Sequence, residues 1–193
     1  MIWAIALVAV VLLVALFVVV LYNRLVRLRN RAENAWAQVG VQLQRRHDLI
    51  PNLVEAVKGY ARHERALFEQ VTATRVSAQR ASGVEQTAEA ENALTAALGR
   101  LFAVAEAYPV LRATENFQHL QADLADTEDK IAVARQIYND AVYTYDTATE
   151  TIPTSAVASA LRFEPKRYFE IDDRSRQVPE VGLAQAPSGG AGG

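Results

Sequence analysis

The sequence predicts an all-α protein: a single N-terminal transmembrane helix followed by an antiparallel four-helix bundle. Three observations lead there. The first 21 residues carry no charge, apolar positions recur afterwards at alternating spacings of three and four, and Gly and Pro are sparse until the C-terminus. No NG or DG turn separates alternating strands, and Ala, Leu, Val, Glu, Gln and Arg dominate the composition.

Residues 1–21, MIWAIALVAVVLLVALFVVVL, hold one hydrogen-bonding side chain, the Trp3 indole. A run of about 20 apolar residues is what a helix needs to cross the hydrocarbon of a bilayer. Trp3 and Tyr22 bracket it like interfacial anchors, about 28 Å apart along a helix. No basic side chain precedes the run, as a signal peptide would require, and no polar face marks it as a buried core helix. Arg24, Arg27, Arg29 and Arg31 follow it. The positive-inside rule then puts the N-terminus outside and the rest of the chain in the cytoplasm. Trp3, Tyr22, Arg24 and Arg27 are the expected membrane-interface residues.

Beyond the span, four apolar series predict four helices. They are Leu25, Leu28, Ala32, Ala35, Val39 and then Gln42 or Leu43; Leu53, Val57, Tyr60, Leu67, Val71 and Ala78; Leu94, Leu98, Leu101, Ala105 and Tyr108; and Phe117, Leu120, Leu124, Thr127, Ile131, Ala134, Tyr138, Ala141 and Tyr145. Ser82–Gly83 suits a helix end, with Thr87, Glu89 and Glu91 opening the next helix. Tyr108–Pro109 closes the third, Thr114 caps the fourth, and Pro153 follows it. The expected organisation is an anchor over 1–22, a cytoplasmic bundle over 23–153, a segment over 154–181 packed on the bundle, and a flexible tail over 182–193. Phe163, Tyr168 and Phe169 would hold the packed segment, as a short helix or an extended strap.

The stretch RRHDLIPNLVEAVKGYARHE, from position 45, poses the question of chemistry. Pro51 lacks the N–H needed to continue a helix, so the first helix is expected to end near His47. Asn52 and Glu55 would then form a reciprocal cap, Leu49 and Ile50 would cover the core's end, and Arg45 and Arg46 would face the helix dipole. The alternative is one continuous, kinked helix.

The carboxylate-bridged di-iron pattern fails, because Gln44, Tyr60 and Asn116 stand three residues before His47, His63 and His119. His63–Glu64 begins a zincin motif, but Leu67 occupies the second histidine's place. There is no cysteine, no G-x-S-x-G elbow and no phosphate-binding glycine loop. Gly40, Gly59 and Gly99 are isolated within helical pattern, where close helix contact is the usual reason. The expectation is therefore no catalytic residue, no metal and no cofactor. A net charge of -2 with interspersed signs gives no bulk argument for nucleic acid. Residues that no cap requires make up a candidate interaction surface: Arg46, His47, Asp48, Lys58, Arg62 and His63, together with Tyr138, Asn139 and Asp140. The bland reading of the same residues is a solvated face beside an aromatic core.

Residues 22–64, YNRLVRLRNRAENAWAQVGVQLQRRHDLIPNLVEAVKGYARHE, resemble the LemA family of bacterial membrane proteins. So do 91–109, ENALTAALGRLFAVAEAYP; 127–146, TEDKIAVARQIYNDAVYTYD; and YFE at 168–170. Asp146 and Ile152 depart from the family's usual Asn and aromatic. The resemblance implies a short extracytoplasmic N-terminus, one transmembrane helix and a cytoplasmic antiparallel bundle in the inner membrane. It supplies no reaction and no catalytic residues, and some relatives take part in forming magnetosome membranes. The leading functional expectation is a scaffold or adaptor that meets membrane lipid and either a protein partner or a second copy of itself. A membrane-shaping or envelope-stress component acting on anionic lipid comes next, and an enzyme of unrecognised type using His47 and Asp48 comes last.

Overall fold

A computed structural model of the protein describes residues 1–170; the tail expected at 182–193, and the end of the segment before it, lie outside the described residues. Every regular element among the described residues is a helix: α1 (Ile2–Lys58), α2 (Arg65–Arg80), α3 (Val84–Glu106), α4 (Pro109–Arg112), α5 (Glu115–Glu150) and α6 (Thr154–Ala160).

The largest departure from the sequence expectation lies in α1, which runs through Pro51 as one helix of 57 residues, about 85 Å long. The break comes later, between Lys58 and Arg65. Two facts offset the proline. Its ring removes the N–H that would bond the His47 carbonyl, and that oxygen instead accepts from Arg75 Nε of α2 at 2.7 Å. Ile50, Leu53, Val54 and Val57 also bury themselves on the inner side of the continued helix. Asn52 is thus an exposed mid-helix residue rather than a cap, and Glu55 pairs with Lys58 at 3.0 Å.

Smaller corrections follow the same logic of satisfied backbone groups. Gly83, at φ 79, is the residue before α3, a left-handed conformation that glycine adopts without steric cost. Thr87 Oγ1 donates to its carbonyl at 2.7 Å. Thr114 precedes α5 with extended backbone, but its hydroxyl turns back to donate to the Leu111 carbonyl.

Helices α1 and α5 pack side by side along most of α5, antiparallel to each other. Leu21 and Leu25 share a cluster with Ala148, Val39 and Leu43 share one with Ile131 and Ala134, and Leu53 and Val57 share one with Phe117, Leu120 and Leu124. Helices α2 and α3 form a hairpin whose apolar residues Phe68, Val71, Leu94, Leu98 and Leu101 join the last of these clusters. The seam is narrow and rich in alanine near the middle, where Ala32, Ala35, Ala134 and Ala141 let α1 and α5 approach. After α6 the chain continues without regular structure over 163–170 along the α1–α5 pair.

Residues 2–20 of α1 are exposed throughout, with a mean hydropathy of 3.5 in the most apolar window. It is the one helix among the described residues long and apolar enough to cross a membrane.

Candidate functional site

Two places inside this helical body hold polar side chains in quantity. The first joins α1, α3 and α5. Arg46 and His47 are each only 4% exposed, and Glu91 is 0% exposed. Glu91 Oε1 lies 2.6 Å from His47 Nε2, and its other oxygen lies 3.4 Å from Arg46 Nη1. Arg46 also donates to Thr95 Oγ1 at 2.8 Å and meets Glu128 at 3.4 Å. The fully buried carboxylate is therefore bracketed by two α1 side chains, and Arg46 is held by two carboxylates and a hydroxyl. An isolated buried charge would cost several kcal/mol, and this arrangement leaves none isolated.

A groove of about 330 Å³ opens beside the cluster, lined by Arg46, Thr95, Gly99, Gln121 and Glu128 among others. Asp48 takes no part. It points to the exposed side and accepts from Gln44 Nε2, one helical turn back, at 2.7 Å. A His47–Asp48 pair is thus not assembled. Among the described residues, no group of three or more His, Cys, Asp or Glu side chains converges as a metal site.

The second place is the seam between α5 and residues 164–169. Tyr138 Oη donates to the Arg167 carbonyl at 2.7 Å, and Tyr145 Oη donates to the Glu164 carbonyl at 2.8 Å. The Asn139 amide works in both directions: Nδ2 donates to the Phe169 carbonyl at 3.2 Å, while Oδ1 accepts from the Phe169 N–H at 2.9 Å. Asp146 Oδ1 accepts from the Lys166 N–H at 3.1 Å. Phe169 is fully buried, its ring 5.1 Å from that of Trp36, and Trp36 is in turn 5.1 Å from Tyr138. Every hydrogen bond named here goes to strap backbone, so the seam reads main chain plus one aromatic anchor. Burial, reinforced by the nearby Asp146 charge, pushes the Tyr138 hydroxyl up to about 12, and burial raises that of Tyr145 as well.

The residues expected on one interaction surface are therefore divided. Arg46 and His47 lie inside, because their positions fall on the buried stripe of α1; Tyr138 and Asn139 hold the strap. Asp48, Lys58, Arg62, His63 and Asp140 are exposed. Lys58 and Arg62 line a broad groove between α1 and α2 with Arg65, Glu55 and Glu69. At the membrane end, Trp3, Tyr22, Arg24 and Arg27 are exposed; Tyr22 meets the Phe163 ring edge-on at 5.9 Å, and Arg27 Nε donates to the Asn23 carbonyl.

Glu91 is the functional-looking residue that sequence reasoning assigned differently, as a dipole-facing acid of the first turn. The signal was present: Thr87 and Glu91 continue the spacing of Leu94, Leu98 and Leu101 backwards, which places a carboxylate on the buried stripe.

The LemA family model matches residues 35–182. The chain is 27% identical over 175 residues to Magnetosome protein MamQ 2 of Paramagnetospirillum magneticum, covering 77% of this chain and 64% of that one. It is equally similar to Magnetosome protein MamQ of Magnetospirillum gryphiswaldense, over 174 residues. The chain thus spans a little under two thirds of the length of these curated relatives.

Proposed function

The chain belongs to the LemA family, and from that premise we propose that it is a membrane-anchored helical scaffold or adaptor without catalysis. Residues 2–21 cross the bacterial cytoplasmic membrane once, the N-terminus lies outside, and α1, α2, α3 and α5 stand in the cytoplasm as an antiparallel four-helix bundle. The observation that carries this reading is the continuity of α1. One uninterrupted helix of 57 residues belongs to both the apolar span and the packed core, so the body is held at the membrane by a rigid element rather than a linker. The reading is supported by the use of the buried polar side chains in internal pairs, which leaves exposed helix faces to do the binding.

The partner face of this reading contains Asp48, Lys58, Arg62 and His63. In-cell crosslinking of the full-length protein tests it, with a Lys58→Glu, Arg62→Glu variant alongside. Discrete protein partners, or self-links, should attach to the wild type and diminish in the variant. An absence of any protein crosslink in native membranes would sink the adaptor reading.

A second reading is a membrane-shaping component acting on anionic lipid. It is favoured by the exposed Arg24 and Arg27 directly after the span, each worth about 1 kcal/mol near an anionic surface, and by relatives that are named magnetosome proteins. Reconstitution into anionic and neutral vesicles separates the two readings: salt-sensitive vesicle remodelling that Arg24→Glu, Arg27→Glu abolishes would favour lipid action. Orientation is open to thiol labelling, since the chain has no cysteine. A cysteine placed at Val110 should react with an impermeant reagent only after the cells are opened.

A further inference from the structure

The end of α5 comes very close to the apolar span. Trp36 meets Tyr138, and Arg46 meets Glu128; the two contacts lie ten residues apart on each helix, so α1 and α5 keep register. Carried twelve residues further, that register sets Glu150, the last residue of α5, at the level of Arg24. The turn beyond it, Thr151–Ile152–Pro153, then falls beside Tyr22.

Burial along α1 gives the same level independently. Residues 1–20 are all exposed, whereas Leu21, the last residue of the apolar run before Tyr22 and Asn23, is 7% exposed. What covers it is Ala148 of α5 with Val157 and Ala158 of α6. The protein's own body therefore begins at the final residue of a run whose length matches the bilayer's hydrocarbon. At that level Ile152 is 85% exposed. The α5–α6 turn thus presents a large apolar side chain that is left uncovered among the described residues, next to a surface that is itself continuous with the span.

We propose that the α5–α6 turn is a second membrane contact, in which Ile152 seats at the apolar edge of the same bilayer that α1 crosses. This rests on the reading of residues 2–21 as a span. The partner is lipid rather than protein, because the turn lies beside the helix that enters the hydrocarbon and at the depth where that hydrocarbon starts. Neighbouring charges suit the headgroup layer just above: Arg24, Arg27 and Arg162 are exposed there, with Glu150 among them. A single helix leaves its body free to spin and tilt about the membrane normal. A second contact on a neighbouring element fixes both motions, and with them which faces of α1, α2 and α3 look away from the membrane.

The test is made on full-length protein in liposomes. Single cysteines are introduced at Ile152, at Leu13 in mid-span, and at Val110, which is 70% exposed at the opposite end of α5, about 54 Å away along that helix. Each carries a nitroxide whose collisions with oxygen, enriched in lipid, and with a water-soluble nickel chelate are compared. The expected result is an oxygen-to-chelate ratio at Ile152→Cys several-fold above that at Val110→Cys and approaching that at Leu13→Cys. A ratio at 152 equal to that at 110, with position 13 still in lipid, overturns the contact while leaving the anchor intact. Chelate access at position 13 overturns the anchor and the contact together. Because Ile152 is exposed, its replacement leaves the core undisturbed.

Discussion

The two polar regions of the interior solve the same problem in opposite ways. Around Glu91, whose carboxylate is sealed from solvent, Arg46 links it to Glu128 at the open rim of the groove and His47 lies against its other oxygen. Along the strap, neutral or lightly charged side chains of α5 bind the backbone of a segment that has no regular structure of its own. In the first, Glu91 is the partner that matters most, because removing it leaves Arg46 and His47 buried without the carboxylate they share. In the second, the bonds are separate and only part-buried, so the loss of one leaves the others in place. The difference teaches where the molecule is rigid and where it can open. The ion cluster ties the α2–α3 hairpin to α1, whereas the strap is held to α1 and α5 by backbone hydrogen bonds and the single buried ring of Phe169.

Breaking the first region should produce the largest effect. Glu91→Ala leaves Arg46 and His47 buried without their shared carboxylate, and removal of one partner from such a cluster costs about 3–5 kcal/mol. Urea unfolding of detergent-solubilised full-length protein should show the midpoint falling accordingly. A Glu91→Ala protein as stable as the wild type would mean that water reaches the site and that the cluster is not sealed. Breaking the second region should cost less. Asn139→Ala removes both bonds to Phe169, about 1–3 kcal/mol, and the loss should be local. Tryptic cleavage after Arg162, Lys166 and Arg167 should accelerate while the unfolding midpoint of the helices changes little. Equal cleavage rates would show that the Phe169 ring alone holds the strap.

Alkaline titration sharpens the same contrast. The Tyr138 hydroxyl has an ordinary value of 10 and is pushed up to about 12 in the folded protein. Its contribution is fully present below pH 10. Between 10 and 12 the unfolded chain has released this proton while the folded chain still holds it, so stability falls as pH rises through that window. Loss of the proton also removes the donor to the Arg167 carbonyl. Unfolding measured from pH 9 to 12 should show this decline, and Tyr138→Phe should make it shallower. An unchanged profile in the variant would assign the decline to Tyr145 instead, whose hydroxyl is also raised by burial.

The apolar stripes made most of this architecture legible, and Pro51, where a break is the expectation and a continuous helix the alternative, shows what they leave out. The spacing Val39, Leu43, Arg46, Ile50, Leu53, Val57 runs in phase across the proline, so α1 announced its own continuity. The sequence shows the hydrogen bond that the proline removes, but not that Arg75, 28 residues beyond His47, supplies a replacement donor to the His47 carbonyl. Arg46 and Glu91 were hidden for a related reason. Each stands in a buried slot of its own stripe, but only the approach of α3 to α1 turns two misplaced charges into a pair. Tyr138 and Asn139 stood out as a polar–aromatic cluster, yet their target is strap backbone, which has no side-chain signature. Membership of the helices was written in one-dimensional periodicity; the partners of polar groups depend on tertiary approach.

The smallest expected effect concerns glycines, where the structure departs from the close helix contact expected of them. Gly40 in α1 and Gly99 in α3 have open space where a Cβ would stand, and both have ordinary helical surroundings. Neither is therefore retained by a neighbour's approach, and both carry the entropic cost of glycine inside a helix, about 0.5–1 kcal/mol relative to alanine. Gly40→Ala and Gly99→Ala should each raise the unfolding midpoint by that modest amount. The two differ in setting, however. Gly40 sits on an exposed face of α1, whereas Gly99 lines the groove beside Arg46, Thr95 and Glu128, at the rim of the ion cluster. If both substitutions stabilise equally, the groove tolerates a methyl group and its openness is incidental to the cluster. If Gly99→Ala falls short of Gly40→Ala by most of that increment, the Arg46–Glu128 contact needs the space, and the sealed region extends to its rim.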